Sequence, residues 1–101
     1  MRVQLLTFAG CPHAEAARET LRSVLVSSAV VVPIEDVDTN APGTPEALRG
    51  WGSPTILING EDAEGQDAPT GASCRLYRDQ GGRLRGTPTQ ALLRSALTRA
   101  T

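Results

Sequence analysis

The apolar run Val3-Gln4-Leu5-Leu6-Thr7-Phe8 is cut off by Gly10-Cys11-Pro12 and replaced at once by a helical repeat. A short apolar run bounded by glycine and proline reads as a buried strand, here over residues 2–8. Proline has a fixed φ and no N–H, which suits the first turn of a helix, so the helix is expected to open at Pro12. Its apolar face then collects Ala14, Ala17, Leu21, Val24 and Leu25. Glu15, Arg18, Glu19 and Arg22 fall on the other face, with opposite charges three apart, and the helix runs to about Ser27. A strand that hands over directly to a helix opens a parallel β-α-β unit, and the helical crossover is expected to be right-handed.

The rest of the chain punctuates itself. Val30–Val37 is rich in β-branched residues and reads as a second strand. Pro33 places it at a sheet edge, because proline cannot donate to a central ladder. Asp38 to Gly43 is a turn-rich loop, and Thr44-Pro45 opens a short helix containing Glu46, Ala47 and Leu48. Thr55-Ile56-Leu57-Ile58 is a third strand, closed by Asn59-Gly60. Glu61, Asp62, Glu64 and Asp67 then read as a solvated acidic loop reaching to about Ser73. Cys74–Tyr77 reads as a fourth strand, Gln80-Gly81-Gly82 as a turn, and Thr87-Pro88 as the start of a last helix carrying Ala91, Leu92, Ser95 and Ala96. The pattern predicts a single α/β domain over residues 1–101: a four-stranded mixed sheet, in the order βαβαββα, with helices on both faces.

Bulk properties narrow the function. A 101-residue chain with 40% hydrophobic residues forms one domain with its own core. Aromatic content is 3%, so that core is aliphatic. A net charge of −1 gives no global field for nucleic acid or an anionic membrane, and we expect neither as a partner. All ten basic residues are Arg, which we read as the composition of a GC-rich bacterial genome. The N-terminal residues read as the first strand of the fold and not as a targeting segment, and only two cysteines are present, so we expect a cytoplasmic, monomeric protein without a disulfide framework.

The chemistry concentrates at Cys11. A thiol at a helix N-terminus faces unpaired N–H groups and the positive end of the macrodipole, both of which favour the nucleophilic thiolate. The alternative is a small buried hydrophobe. His13 is either an electrostatic helper for the sulfur or an exposed helix-turn histidine. Trp51 either lines a groove beside Cys11 or packs at the end of the short helix, and Arg49 either attracts a substrate carboxylate or is a solvated charge.

The order of elements, with Cys11-Pro12-His13 after the first strand and Trp51-Gly52-Ser53-Pro54-Thr55 opening the third, resembles the thioredoxin/glutaredoxin superfamily over nearly the whole chain. The resemblance implies that Ser53–Pro54 is a cis peptide packed beside the active cysteine. It further implies that the Ser53 backbone is free to pair with an extended peptide or a thiol tripeptide. Cys11, Pro12 and His13 would form the catalytic turn, with Trp51, Ser53, Pro54 and Thr55 facing the substrate.

Two departures from the family shape the expected activity. The position of the usual second cysteine is Ala14, and the position of a buried acid is Leu5, so the two-thiol route is closed locally. Pro12-His13-Ala14 also replaces the Gly-Phe-Ser of cluster-binding monothiol members, and no iron–sulfur cluster or other metal is expected. Cys74 is the possible second thiol. An antiparallel hairpin starting near Asn59 places it about 16 Å from the Pro54 end, beyond the ~7 Å Cα separation a disulfide allows. Cys74 is therefore expected to be a semi-buried structural residue, with a redox role left open by its position after a long loop. The function expected is monothiol redox exchange through a mixed disulfide at Cys11. A protein or a low-molecular-weight thiol would be the partner, with no cofactor beyond such a thiol as co-substrate. The alternative is a non-catalytic module that binds a protein partner or a soft metal.

Overall fold

The opening switch folds as β1 (Val3–Thr7) followed by α1 (Ala14–Ser27) and β2 (Ile34–Asp38), with β2 parallel to β1. The computed structural model describes residues 1–69, 71 and 73–101. A one-turn 3-10 helix (Glu46–Leu48) leads to β3 (Thr55–Ile58), which lies antiparallel to β1 on the side away from β2. Asn59 and Gly60, with φ of 54° and 81°, form the tight turn into β4 (Glu61–Asp62). The sheet order is β2-β1-β3-β4, a four-stranded mixed sheet. A separate hairpin joins β5 (Tyr77–Arg78) to β6 (Leu84–Arg85), and α2 (Gln90–Ala100) follows, capped by the Thr89 hydroxyl accepting from Leu92 N–H.

Strand alternation divides the core in two. Val3, Leu5, Ile56 and Ile58 face α1 and α2, where they meet Ala17, Leu21, Val24, Leu93 and Leu97. Leu6 and Leu57 point the other way, onto Trp51, Val37 and Leu48. Both α-helices therefore share one face of the sheet, and the opposite face is covered by the Trp51 segment and the single 3-10 turn. The expectation of helices on both faces holds only for that turn. As expected, β2 is an edge strand; it starts at Ile34, just after Pro33, and not at Val30. Arg18 of α1 pairs with Asp36, and Arg2 pairs with Glu35 at 2.9 Å, fastening this edge from both sides.

The fourth sheet strand is the main correction. It is Glu61–Asp62, directly after the Asn59-Gly60 turn, and not Cys74–Tyr77. The 74–77 stretch instead makes one parallel bridge, Ser53 with Cys74, before entering the β5–β6 hairpin. Two-residue β4 suffices because Asp62 turns inward, with its side chain fully shielded from solvent.

Candidate functional site

β1 ends against the start of β3, with Leu6 opposite Thr55. The Phe8–Cys11 turn and the Ser53–Pro54 bond therefore leave the sheet at the same end. Gly10 takes φ 85°, a left-handed conformation that glycine adopts without a Cβ penalty. The Cys11 N–H then donates to Phe8 O at 3.2 Å, closing the turn and leaving the Cys11 side chain partly exposed. α1 begins at Ala14, two residues later than Pro12 predicts, because His13 sits at φ −107°, ψ 2°, in the bridge region between strand and helix. His13 occupies the N-cap position and makes no side-chain capping bond among the described residues. The first-turn N–H groups thus keep no side-chain acceptor from that position, and Cys11 lies three residues before them.

The half-buried His13 ring occupies the space beside Gly86, the residue after β6. A Cβ on Gly86 would fall 2.2 Å from His13 Cδ2, so only glycine leaves room for the ring. Pro12 is exposed beside it.

Across the sheet end, Ser53–Pro54 is a cis peptide. Tyr77 Oη donates to the Pro54 carbonyl at 2.5 Å. Burial pushes the Tyr77 phenol well above its ordinary value, so it remains a protonated donor.

The Ser53 backbone, expected to be free for substrate, is already paired. Ser53 N–H donates to Ser73 O at 3.2 Å, and Arg75 N–H donates to Ser53 O at 2.9 Å. Gly71 N–H donates to Gly50 O at 2.9 Å, so Gly71 and residues 73–75 lie alongside residues 50–53. This corrects both expectations for the segment: the chain itself fills the edge at Ser53, and Cys74 stands directly across from Ser53 instead of far away near Asn59. Cys74 is exposed, not semi-buried. Gly52 makes the approach possible, since a Cβ there would lie 2.8 Å from Ser73 O and 3.0 Å from Arg75 Cβ. An open groove of about 670 Å³ adjoins Cys74, bounded by Glu64, Gln66, Pro69 and Leu76.

Arg75 anchors this internal strand. Its guanidinium, 4% exposed, makes two 2.7 Å bonds to the Asp62 carboxylate, a 3.2 Å bond to Glu64 and a 3.1 Å bond to Thr55 Oγ1. It also lies 4.7 Å from the Tyr77 ring centroid and 5.8 Å from that of Trp51. The predicted solvated acidic loop is thus partly a buried ion-pair network. Composition alone hides this, because the partner of Asp62 comes thirteen residues later in the chain. The signal was the alternation in Cys74-Arg75-Leu76-Tyr77: Arg75 and Tyr77 turn inward, while Cys74 and Leu76 turn outward.

The remaining candidates are tied to the scaffold. Trp51 is buried on Leu6 and Leu57, which favours packing over a groove wall. Thr55 Oγ1 donates to Gly52 O at 2.6 Å. Arg49 spends its guanidinium on the carbonyls of Thr44, Ala41 and Pro42. Ser53 Oγ is fully buried and has no hydrogen-bond partner among the described residues.

No family model, curated protein or solved structure matches this chain. Among the described residues, no group of three or more His, Cys, Asp or Glu side chains is placed to hold a metal ion. None of the described helices is long and apolar enough to cross a membrane. What remains is a sheet end at which a partly exposed thiol, a helix start without a side-chain cap and the cis Ser53–Pro54 bond lie together, with an exposed Cys74 bridged to Ser53.

Proposed function

We propose that the protein is a thioredoxin-like monothiol redox protein in which Cys11 attacks a disulfide and forms a mixed disulfide. The observation that carries this reading is the position of Cys11, partly exposed in the turn between β1 and the uncapped start of α1. A sulfur anion there meets donors that the N-cap residue leaves unused. The sheet order β2-β1-β3-β4, with Ser53–Pro54 entering β3 at the same end, supports the family resemblance.

In the attack, the Cys11 thiolate takes one sulfur of a disulfide R–S–S–R′. The Cys11–S–S–R bond forms as R′S⁻ leaves and takes a proton. Because the Ser53 backbone edge is already filled by residues 73–75, a small disulfide fits the site better than an extended peptide. The partner favoured is thus a low-molecular-weight disulfide in the cytoplasm. The test is incubation with an oxidised low-molecular-weight thiol followed by intact mass and peptide mapping. One adduct at Cys11, absent in Cys11→Ser, is the expected result. Equal labelling in Cys11→Ser contradicts the reading.

A further inference from the structure

We propose that the outer edge of β2 takes up an extended, cationic segment of a partner protein as an added strand, with an apolar side chain of that segment seated in the groove between β2 and α1. This surface lies on the side of β1 away from β3 and is independent of the exchange at Cys11.

The backbone leaves the edge open. Among the described residues, no strand lies beside β2 on its outer side. Thr39 N–H donates to Thr7 O at 2.9 Å, and β2 runs parallel to β1. Alternate residues of a parallel strand bond to the same neighbour, so Glu35 and Val37 also turn their backbone groups toward β1. Ile34 and Asp36 turn theirs outward, where two N–H donors and two carbonyl acceptors face an added strand. Two residues farther on the edge is closed, because Asp38 O accepts from Ala41 N–H and from Thr44 Oγ1.

The side chains shape a seat along this edge. Ala29, at φ 55°, turns the chain, and Val30 N–H donates back to Leu25 O at 3.0 Å. Residues 30–32 are thereby laid beside the last turn of α1. Between them is a groove of about 530 Å³ with Leu25, Val26, Val30, Val32 and Ile34 as its apolar lining. No residue of β1 lines it, so it opens at the strand edge and not toward the core. Val26 is 75% exposed and Val31, also on the groove, 96%. That is bulky apolar surface left in water beside unpaired backbone. Every second side chain of an added strand falls on the face of Ile34 and Asp36, above this groove.

Charge selects the occupant. Glu15, Glu35, Asp36 and Asp38 border the edge against Arg2 and Arg18, four carboxylates to two guanidiniums, a net of −2. Arg18 is shared between Glu15 and Asp36. Antiparallel pairing of two copies of this chain about Asp36 would set their Asp36 carboxylates directly opposite, a like-charge pair that destabilises a ladder. A cationic strand supplies the missing complement.

The test uses the full chain, reduced and ¹⁵N-labelled, with an acetylated and amidated heptapeptide of alternating Lys and Val as the probe. Amide shifts should saturate below about 1 mM peptide and concentrate on Ile34–Asp36, Val26 and Val31. Val26→Ser/Val31→Ser, two exposed positions whose change leaves the core intact, should weaken binding about tenfold. The same peptide with every amide N-methylated, or with Glu in place of Lys, should bind at least about tenfold more weakly. Cys11→Ser should bind the probe as wild type does, which separates this surface from the thiol chemistry. Absence of shifts at Ile34–Asp36 up to about 1 mM overturns the proposal, and so does equal binding of the N-methylated peptide, which would show charge adhering without strand addition. A dimer in sedimentation whose formation shifts the same edge amides overturns it in favour of a second copy as the occupant.

Discussion

Arg75→Met strands the Asp62 carboxylate, whose side chain is 0% exposed, without its bidentate partner. Removing one member of a buried ion pair costs about 3–5 kcal/mol, since the surviving charge keeps its desolvation penalty and loses its compensation. A domain of 101 residues has a total stability of about 5–15 kcal/mol, so the loss is a large share of the whole. At about 4–8 °C per kcal/mol for a chain near this size, a loss of about 4 kcal/mol lowers Tm by about 16–32 °C. Urea unfolding at neutral pH reads the change directly: the midpoint should fall while the slope stays constant. Asp62→Leu/Arg75→Met removes both charges and should recover most of the loss, because neither desolvation penalty survives. A single variant that loses less than about 1 kcal/mol, the value of an exposed pair, refutes burial of this network. A double variant no better than Arg75→Met refutes the assignment of the loss to the stranded carboxylate.

Other outcomes follow from the same geometry. Gly86→Ala adds a Cβ inside contact distance of His13 and must turn the ring away; if the imidazole assists the sulfur, Cys11 adduct formation slows about two- to fivefold, the equivalent of about 0.5–1 kcal/mol, and an unchanged rate in a folded variant removes His13 from the mechanism. Asp79 accepts from the Gly81 and Arg83 backbone and from Arg85, and the Arg85 bond first, with Arg83, lowers its carboxyl below the ordinary value of 3.8. A group depressed in the folded state contributes its stability above that ordinary value and loses it as pH falls through the lower folded one. The β5–β6 hairpin should therefore loosen first below about pH 4, visible as amide exchange over residues 79–85, and Asp79→Asn should abolish the dependence. Ala29 ends α1 at φ 55°, where a Cβ is disfavoured, so Ala29→Gly should raise stability by about 1 kcal/mol in urea unfolding; a decrease contradicts that geometry.

Local pattern reached much of this fold. β1, α1, β3 and the Asn59-Gly60 turn were legible because each is written in consecutive residues: an apolar run, a helical period, a β-branched tetrad, a left-handed pair. The β-α-β unit and its edge strand followed from them. Position in the turn between β1 and α1 was legible for Cys11 and His13, and Ser53–Pro54 was placed correctly at the mouth of β3. What stayed hidden depends on pairing between distant segments. Nothing in the run Glu61–Asp67 marks Asp62 as the buried member, because the mark is Arg75 on another segment. The assumption of a simple hairpin sent Cys74 to the wrong end of β3, whereas Gly71 and residues 73–75 lie along residues 50–53. Gly52 and Gly86 were the available clues, since an isolated glycine beside a strand often marks the close approach of another group.

The most direct test of Cys11 as the nucleophile is a competition between the two thiols of the reduced, folded chain for a substoichiometric alkylating reagent at neutral pH, with the label located by peptide mapping. Cys74 is the more exposed of the two, so accessibility alone would send the label there. Capture of most of the label by Cys11 is the expected result, and a label that follows exposure to Cys74 contradicts the placement of the reactive sulfur at the start of α1.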